Sequence, residues 1–253
     1  MEWRESNGVR WLEADLGGAR AAFSTRLGGV SEAPYDSLNL GLLTEDADDA
    51  VLANRRRLAA ALGFTPEQVV FARQVHGVAL ARQDGSALAC SFPGDSTEKE
   101  QAKDELPEVD GHVVAEPGLA ALVFTADCLP VALHGPEGVA MLHAGWRGLA
   151  GGILAAGAEA VGATRAAIGP GIGPCCYEVG EEVLSPFADL DDVAEGRMLD
   201  LPGVARRLLA RAGVEQIESA ELCTRCEAEL FFSHRRDAGR TGRQAGLAWI
   251  EEG

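Results

Sequence analysis

The chain has 253 residues, enough for one large domain or two small ones, and its 47% of apolar residues is ample for a buried core. A formal charge of −17 repels nucleic-acid phosphates and anionic membranes, so neither is an expected partner, while a local basic pocket for a small anion stays open. The start, Met1-Glu2-Trp3-Arg4-Glu5-Ser6, lacks an apolar signal core, and the six cysteines then read as reduced thiols of a cytoplasmic protein rather than a disulfide frame.

In chain order, Val9–Asp15 and Ala19–Ser24 alternate in polarity around Gly17-Gly18 and predict a hairpin. Residues 25–40 carry Gly28-Gly29, Pro34 and Asn39 without a period and read as a loop. Asp48 or Asp49 caps a helix running to Leu62, with Gly63 as its stop. Residues 68–75 and 78–82 resemble strands on either side of His76. The acidic, proline-containing stretch 84–108 has no apolar period and reads as a loop insertion.

Beyond it, 119–124 and 139–143 are short apolar runs expected as buried strands, and 148–161 is a small-residue helix. A strand at 166–168 runs into the glycine-rich turn Gly169-Pro170-Gly171-Ile172-Gly173-Pro174. Segments 178–190 and 204–212 look helical, and 217–222 and 247–250 look like strands, the last closing a sheet. No linker divides the chain. One α/β (α+β) domain over 1–253 is expected, with mixed β-sheet layers flanked by helices.

Three residues at strand ends are poorly explained by packing: His76 in Gln74-Val75-His76-Gly77, Cys128 in Thr125-Ala126-Asp127-Cys128, and His143 in His143-Ala144-Gly145-Trp146-Arg147-Gly148. Catalytic zinc takes three protein ligands and keeps one open position, so this trio suffices if the fold joins it. The same Cys128–His143 pair equally suits a thiol nucleophile with its base. Asp127 is a candidate proton carrier or a partner that orients a ligand histidine. Arg26, Arg73 and Arg147 adjoin these segments, and guanidinium forks suit phosphate or carboxylate. Gly169 and Gly171 open a turn that offers backbone N–H groups to an anion, or simply packs tightly. His112 reads as a turn or pocket-rim residue, His134 as a turn residue, and His234 as packed, solvated or phosphate-facing; none of the three is backed as a metal ligand. Cys223-Thr224-Arg225-Cys226 has CxxC spacing without a second pair, and Cys175-Cys176 are adjacent, so neither predicts a metal site alone; Cys90 is incidental.

With these segments in view, the chain resembles the laccase-domain family, once called multicopper polyphenol oxidases and later described as purine nucleoside phosphorylases. The resemblance spans nearly the whole length. It rests on Phe23-Ser24-Thr25-Arg26-Leu27-Gly28-Gly29-Val30-Ser31, Ser37-Leu38-Asn39-Leu40-Gly41, Ile168-Gly169-Pro170 and Phe231-Phe232-Ser233-His234-Arg235-Arg236, besides the three segments above. It implies zinc on His76, Cys128 and His143, and a fold similar to a toxin-deamidase-like cysteine hydrolase. It also implies phosphorolysis of adenosine, inosine and methylthioadenosine, with adenosine deamination.

A multicopper oxidase needs a His₂Cys copper site plus a histidine-rich trinuclear cluster, and five histidines cannot fill both. Copper survives only as an alternative metal in one His₂Cys site. Cytidine-deaminase-type zinc enzymes are excluded as well, because no H-x-E follows His143 and no P-C-x-x-C is present. Three expectations follow: a zinc-dependent purine nucleoside phosphorylase with a deaminase activity, a metal-free Cys–His hydrolase acting on an amide or cell-wall precursor, and a non-catalytic metal-binding module.

Overall fold

The computed structural model of the chain describes residues 1–83 and 106–251. Cys90 and all but the last three residues of the expected 84–108 insertion lie outside the described residues.

Two six-stranded sheets carry the fold. The first is ordered β1 (Glu2–Ser6), β2 (Val9–Asp15), β3 (Ala19–Ser24), β14 (Gln244–Ile250), β7 (Ala120–Thr125) and β4 (Val69–Val70). The second is ordered β13 (Gln216–Ser219), β10 (Arg165–Ile168), β8 (Leu129–Gly135), β9 (Gly138–Ala144), β6 (Gly111–Val114) and β5 (Leu80–Gln83). Both are mixed: β4–β7, β5–β6 and β10–β13 pair in parallel, and the other ladders are antiparallel.

The central strands β7, β8, β9 and β14 read as nearly continuous apolar runs because both their faces are covered, while the edge strands β1 and β13 stay polar and more exposed. In β9, Val139 and Met141 point between the sheets, while Ala140, Leu142 and Ala144 point to the helices α3 (Ile153–Val161) and α5 (Leu201–Arg211). On the far side of the first sheet, Leu122 and Leu247 pack with Leu58 of α1 (Asp48–Ala61). The order of layers is therefore helix, sheet, sheet, helix. Each fully buried aliphatic side chain contributes about 1.5–3 kcal/mol.

Alanines line the space between the sheets, among them Ala14, Ala21, Ala121, Ala132, Ala167 and Ala248, so the layers approach closely. A Cβ on Gly246 would lie 2.5 Å from Pro130 Cβ, and one on Gly169 would lie 2.3 Å from the Phe23 ring. These two contacts lock the sheets together where β8 begins, next to Cys128.

The sequence-based expectation of a mixed α/β fold holds, with local differences. The hairpin forms as expected, and β1 extends it by pairing with β2. The first helix starts after Ala47, which leaves Asp48 and Asp49 in its first turn, where their charge favours the positive end of the helix dipole. The run 68–75 shortens to a 3₁₀ turn at Pro66–Gln68 followed by β4. The helix expected at 148–161 is two, α2 (Trp146–Gly151) and α3, broken at Gly152 with φ +92°. Segment 178–190 gives only α4 (Glu181–Leu184) and a 3₁₀ turn containing Pro186. A two-stranded ribbon of β11 (Ala194–Glu195) and β12 (Met198–Leu199) precedes α5. The last strand, β14, closes no edge; it lies between β3 and β7.

Candidate functional site

Three chain turns meet where β8 and β9 approach the first sheet's edge. Cys128 stands just before β8, His143 is the penultimate residue of β9, and His76 sits in the connection between β4 and β5. Their donor atoms all lie within 4.8 Å of one another. The His76 and His143 rings meet edge to face, with centroids 4.8 Å apart. His143 is buried, Cys128 partly buried and His76 exposed, so the centre has one wall open to solvent.

Asp110, with no exposed surface, organises this meeting. Its Oδ1 accepts the His143 Nδ1 proton at 2.8 Å and the His76 backbone N–H at 2.9 Å. Its Oδ2 accepts the N–H groups of Gly77 at 2.6 Å and Val75 at 3.1 Å. One carboxylate thus holds the ring of one candidate ligand and the backbone of another, which sits at φ +61°. By taking Nδ1–H, it leaves the Nε2 of His143 available for Cys128 or a metal.

The His-Ala-Gly-Trp-Arg-Gly segment is explained by space. A Cβ at Gly145 would come 2.9 Å from Cys128 Sγ and 3.3 Å from His76 Cδ2. Gly148 and Gly151 let the His76 connection cross α2, since Cβ atoms there would meet Gly77 O at 3.1 Å and Val78 Cγ1 at 2.7 Å.

Electrostatically, burial alone would push the Cys128 thiol up, but the imidazoles of His143 and His76 outweigh it and bring it down to about 6. Burial would likewise lower His143; the Cys128 thiolate and Asp110 instead raise it to about 9. Without metal, near neutral pH, the pair is therefore a thiolate facing an imidazolium. Desolvation works against Asp110, yet His143 and the backbone donors hold it below its ordinary value.

Asp127 neighbours the centre but faces away from it. Its Oδ1 accepts the Thr224 hydroxyl and its Oδ2 accepts Arg235 N–H, both at 2.7 Å, and its φ is +89°. His143 is oriented by Asp110, while Asp127 bonds Thr224 and Arg235.

Of the three arginines proposed from sequence, Arg147 is exposed with its guanidinium over the Trp146 ring at 4.4 Å. Arg26 is engaged by Asp36 and the Ala228 carbonyl, and Arg73 pairs with Glu108 on the surface. Arg235 and Arg243, which no motif in the sequence marks as candidates, also carry charge near Tyr177 and Cys128. Arg235 lies 5.2 Å over the Tyr177 ring, and Arg243 is held below its usual value by burial, against the charges of Cys128 and Asp127.

The glycine turn is committed to the backbone: Gly169 N–H donates to Pro130 O at 2.8 Å and Ile172 N–H to Asp127 O at 2.9 Å. Gly171 has no room for a Cβ, which would sit 2.4 Å from Leu129 Cδ2. The turn is tightly packed, and its N–H groups at 169 and 172 are taken by backbone carbonyls.

The three other histidines stay apart from the centre. His112 is buried beside Gln83, and burial lowers it to about 4. His134 bonds the Leu16 carbonyl, and His234 lies against Gly239.

A four-layer α/β protein with one thiol and two imidazoles converging at strand ends is the class these features define. The chain belongs to the family described as multi-copper polyphenol oxidoreductase laccase, whose model matches residues 20–251. It is 40% identical to the purine nucleoside phosphorylase YfiH of Escherichia coli K12, over 92% of this chain and 94% of that protein. It is 37% identical to the purine nucleoside phosphorylase PA4543 of Pseudomonas aeruginosa, over 96% and 99%. Among solved structures, YlmD from Geobacillus stearothermophilus superposes with a TM-score of 0.84 at 36% identity, covering 98% of each chain. The family's copper name does not change the histidine arithmetic, since His112, His134 and His234 are all placed elsewhere.

Proposed function

We propose that this chain is a zinc-dependent purine nucleoside phosphorylase, converting adenosine, inosine or methylthioadenosine and phosphate to the free base and the ribose 1-phosphate, with adenosine deamination as a second activity. The observation that carries the reading is the convergence of His76, Cys128 and His143, locked by Asp110; the name of the relatives supports it. Two imidazoles and a thiolate within 4.8 Å, with one side exposed, fit zinc with a position left for substrate, and fit copper as an alternative metal. When bound, the metal supplies Lewis-acid polarisation of a substrate oxygen or a water.

The chain's own residues do the rest. A phosphate oxygen bonds ribose C1′ as the bond from C1′ to the purine nitrogen breaks and the departing base takes up a proton, so the anionic phosphate and the neutral nucleoside must be held in line. The charges of Arg147 and Arg235 bear on Tyr177, and that of Arg243 on Cys128. Arg235 and Arg243 therefore join Arg26, Arg73 and Arg147 as proposed phosphate ligands. Val75 and Val78 flank His76 with exposed apolar surface suited to the face of a nucleoside. Asp127 positions the turn before Cys128 rather than carrying a substrate proton, because Thr224 and Arg235 occupy its two oxygens.

A second reading is favoured by the lowered Cys128 thiol: a metal-free hydrolase with Cys128 as nucleophile and His143 as base. One experiment separates them. The purified protein is incubated with adenosine or inosine, with and without phosphate, before and after chelation, and products are resolved by chromatography. Free base that requires both phosphate and metal supports the phosphorylase. Inosine formed from adenosine supports deamination. Neither product from zinc-loaded protein overturns the proposal, and chelator-resistant turnover with covalent labelling of Cys128 establishes the hydrolase.

A further inference from the structure

A second thiol cluster lies behind the centre. The turn after Gly173 carries Cys175 and Cys176, and the connection after β13 carries Cys223 and Cys226. Adjacent cysteines normally point apart, but here they sit in a turn in which the N–H groups of Cys176 and Tyr177 both donate to Gly173 O. The turn brings both sulfurs to Cys226, at 3.5 Å from Cys175 and 3.4 Å from Cys176. All four sulfurs lie within 4.8 Å of one another.

Four thiolates around zinc at about 2.3 Å would be separated by roughly 3.8 Å, the edge of the tetrahedron. The observed spacing brackets that value. An iron–sulfur cluster distributes its thiolates over separate irons and needs a wider cage than 4.8 Å. The loops also carry a donor to sulfur. Gly173 N–H reaches Cys223 Sγ at 3.3 Å, while Cys226 N–H closes the CxxC turn on the Cys223 carbonyl. A donor at sulfur stabilises thiolate charge around a cation. Gly173 itself lacks room for a side chain, since a Cβ would meet Cys223 Cβ at 3.3 Å and Cys175 Sγ at 3.5 Å.

We propose that Cys175, Cys176, Cys223 and Cys226 form a second, tetrahedral four-thiolate site for a single soft divalent cation of the zinc class. With all four positions filled by protein, the site is structural. Its place in the fold gives it a purpose. Thr224, inside the CxxC segment, donates its hydroxyl to Asp127 and its N–H to Gly171 O, and Ile172 N–H reaches Asp127 O. The cation would staple together the two loops that hold Asp127, the residue before Cys128, in its left-handed conformation.

The test is independent of the first centre. The Cys128→Ala protein, purified anaerobically with reductant, is stripped of metal and titrated with Co²⁺, which reports thiolate ligation by charge-transfer absorption and tetrahedral geometry by its visible bands. One Co²⁺ per chain with intense four-thiolate absorption is expected, lost when Cys226→Ser or Cys175→Ser is added while circular dichroism is retained. If those double variants do not fold, the Co²⁺ count and spectrum of Cys128→Ala alone decide. Absence of thiolate-bound Co²⁺ in Cys128→Ala overturns the proposal. So does a disulfide joining Cys226 to Cys175 or Cys176, found by mass mapping of protein never exposed to air.

Discussion

Replacing Asp110 by asparagine keeps the shape of the side chain and removes one acceptor oxygen and the charge. Four donors converge on the native carboxylate, two at each oxygen: His143 Nδ1 and His76 N–H on Oδ1, and Gly77 and Val75 N–H on Oδ2. An amide has one acceptor oxygen, so whichever way Asp110→Asn turns, its NH₂ faces at least one backbone N–H. Orphaning one to two buried donors at about 1–3 kcal/mol each predicts a loss of about 2–4 kcal/mol, since the partly exposed His76 connection can relax. The His143 imidazolium also loses its counter-charge, so in metal-free protein its value falls from about 9. With a neighbouring anion gone, the Cys128 midpoint shifts downward from about 6. Metal affinity should fall about 10–100-fold, the usual cost of removing a partner that orients a ligand. Competition with a chromophoric chelator gives the dissociation constant, and the pH dependence of iodoacetamide labelling of metal-free protein gives the thiol midpoint. A metal affinity within twofold of the parent, together with an unmoved labelling midpoint, would refute the role given to Asp110.

In metal-free parent protein, Cys128 should label with a midpoint near pH 6; a folded value depressed below the unfolded one also means that this thiolate's contribution to stability is lost as pH falls through about 6, readable in thermal melts. His143 runs the other way: its raised value contributes stability below about pH 6.5 that fades as pH climbs through about 9. Gly145→Ala places a methyl 2.9 Å from Cys128 Sγ and should abolish stoichiometric metal at the first centre while costing about 1–3 kcal/mol of stability, checked by metal analysis and denaturant melts. Arg55, buried between the Phe71 and Phe124 rings at 4.6 and 4.7 Å and bonded to Leu40 O, should on change to Ala lower stability by about 2–5 kcal/mol, and a melting temperature shifted by under 2 °C would contradict that. Arg147→Ala should raise the KM for phosphate at least tenfold with a smaller effect on the KM for nucleoside; equal effects on both would remove Arg147 from phosphate binding.

Much of the fold was legible because its elements obey local rules. The β2–β3 hairpin announces itself by Gly17-Gly18, and α1 ends at Ala61, with Leu62 as its cap before Gly63 at φ +84°. What was illegible depends on partners distant in sequence. The strand β6 reads as Gly111-His112-Val113-Val114, too short to stand out, and becomes a strand only because β9 and β5 flank it. Residues 178–190 carry helical composition, but Pro186 and the β11–β12 ribbon, through the Glu178 bridge to Met198, leave one turn of helix.

The site divides in the same way. His76, Cys128 and His143 stand out because polar, reactive side chains at apolar strand ends lack a packing reason. Asp110 does not stand out: Asp-Gly before a strand is an ordinary turn signal, and its four hydrogen bonds arise only when residues 75–77 and 143 fold back on it. Arg243 is hidden for a related reason, because the strand β14 that it precedes reaches Cys128 only through the pairing of the first sheet and the Gly246–Pro130 contact. The four thiols show how misleading local spacing can be. A lone CxxC and an adjacent pair are each weak signals, yet a parallel bridge between Gly171 and Cys223 brings the two loops into register and closes the sulfurs into one cage. The cage closes on the β10–β13 side, and Ile172 N–H to Asp127 O ties it across to the turn before Cys128. A substitution that broke that tie would disturb Asp127 and Cys128 together with the four-thiol cage.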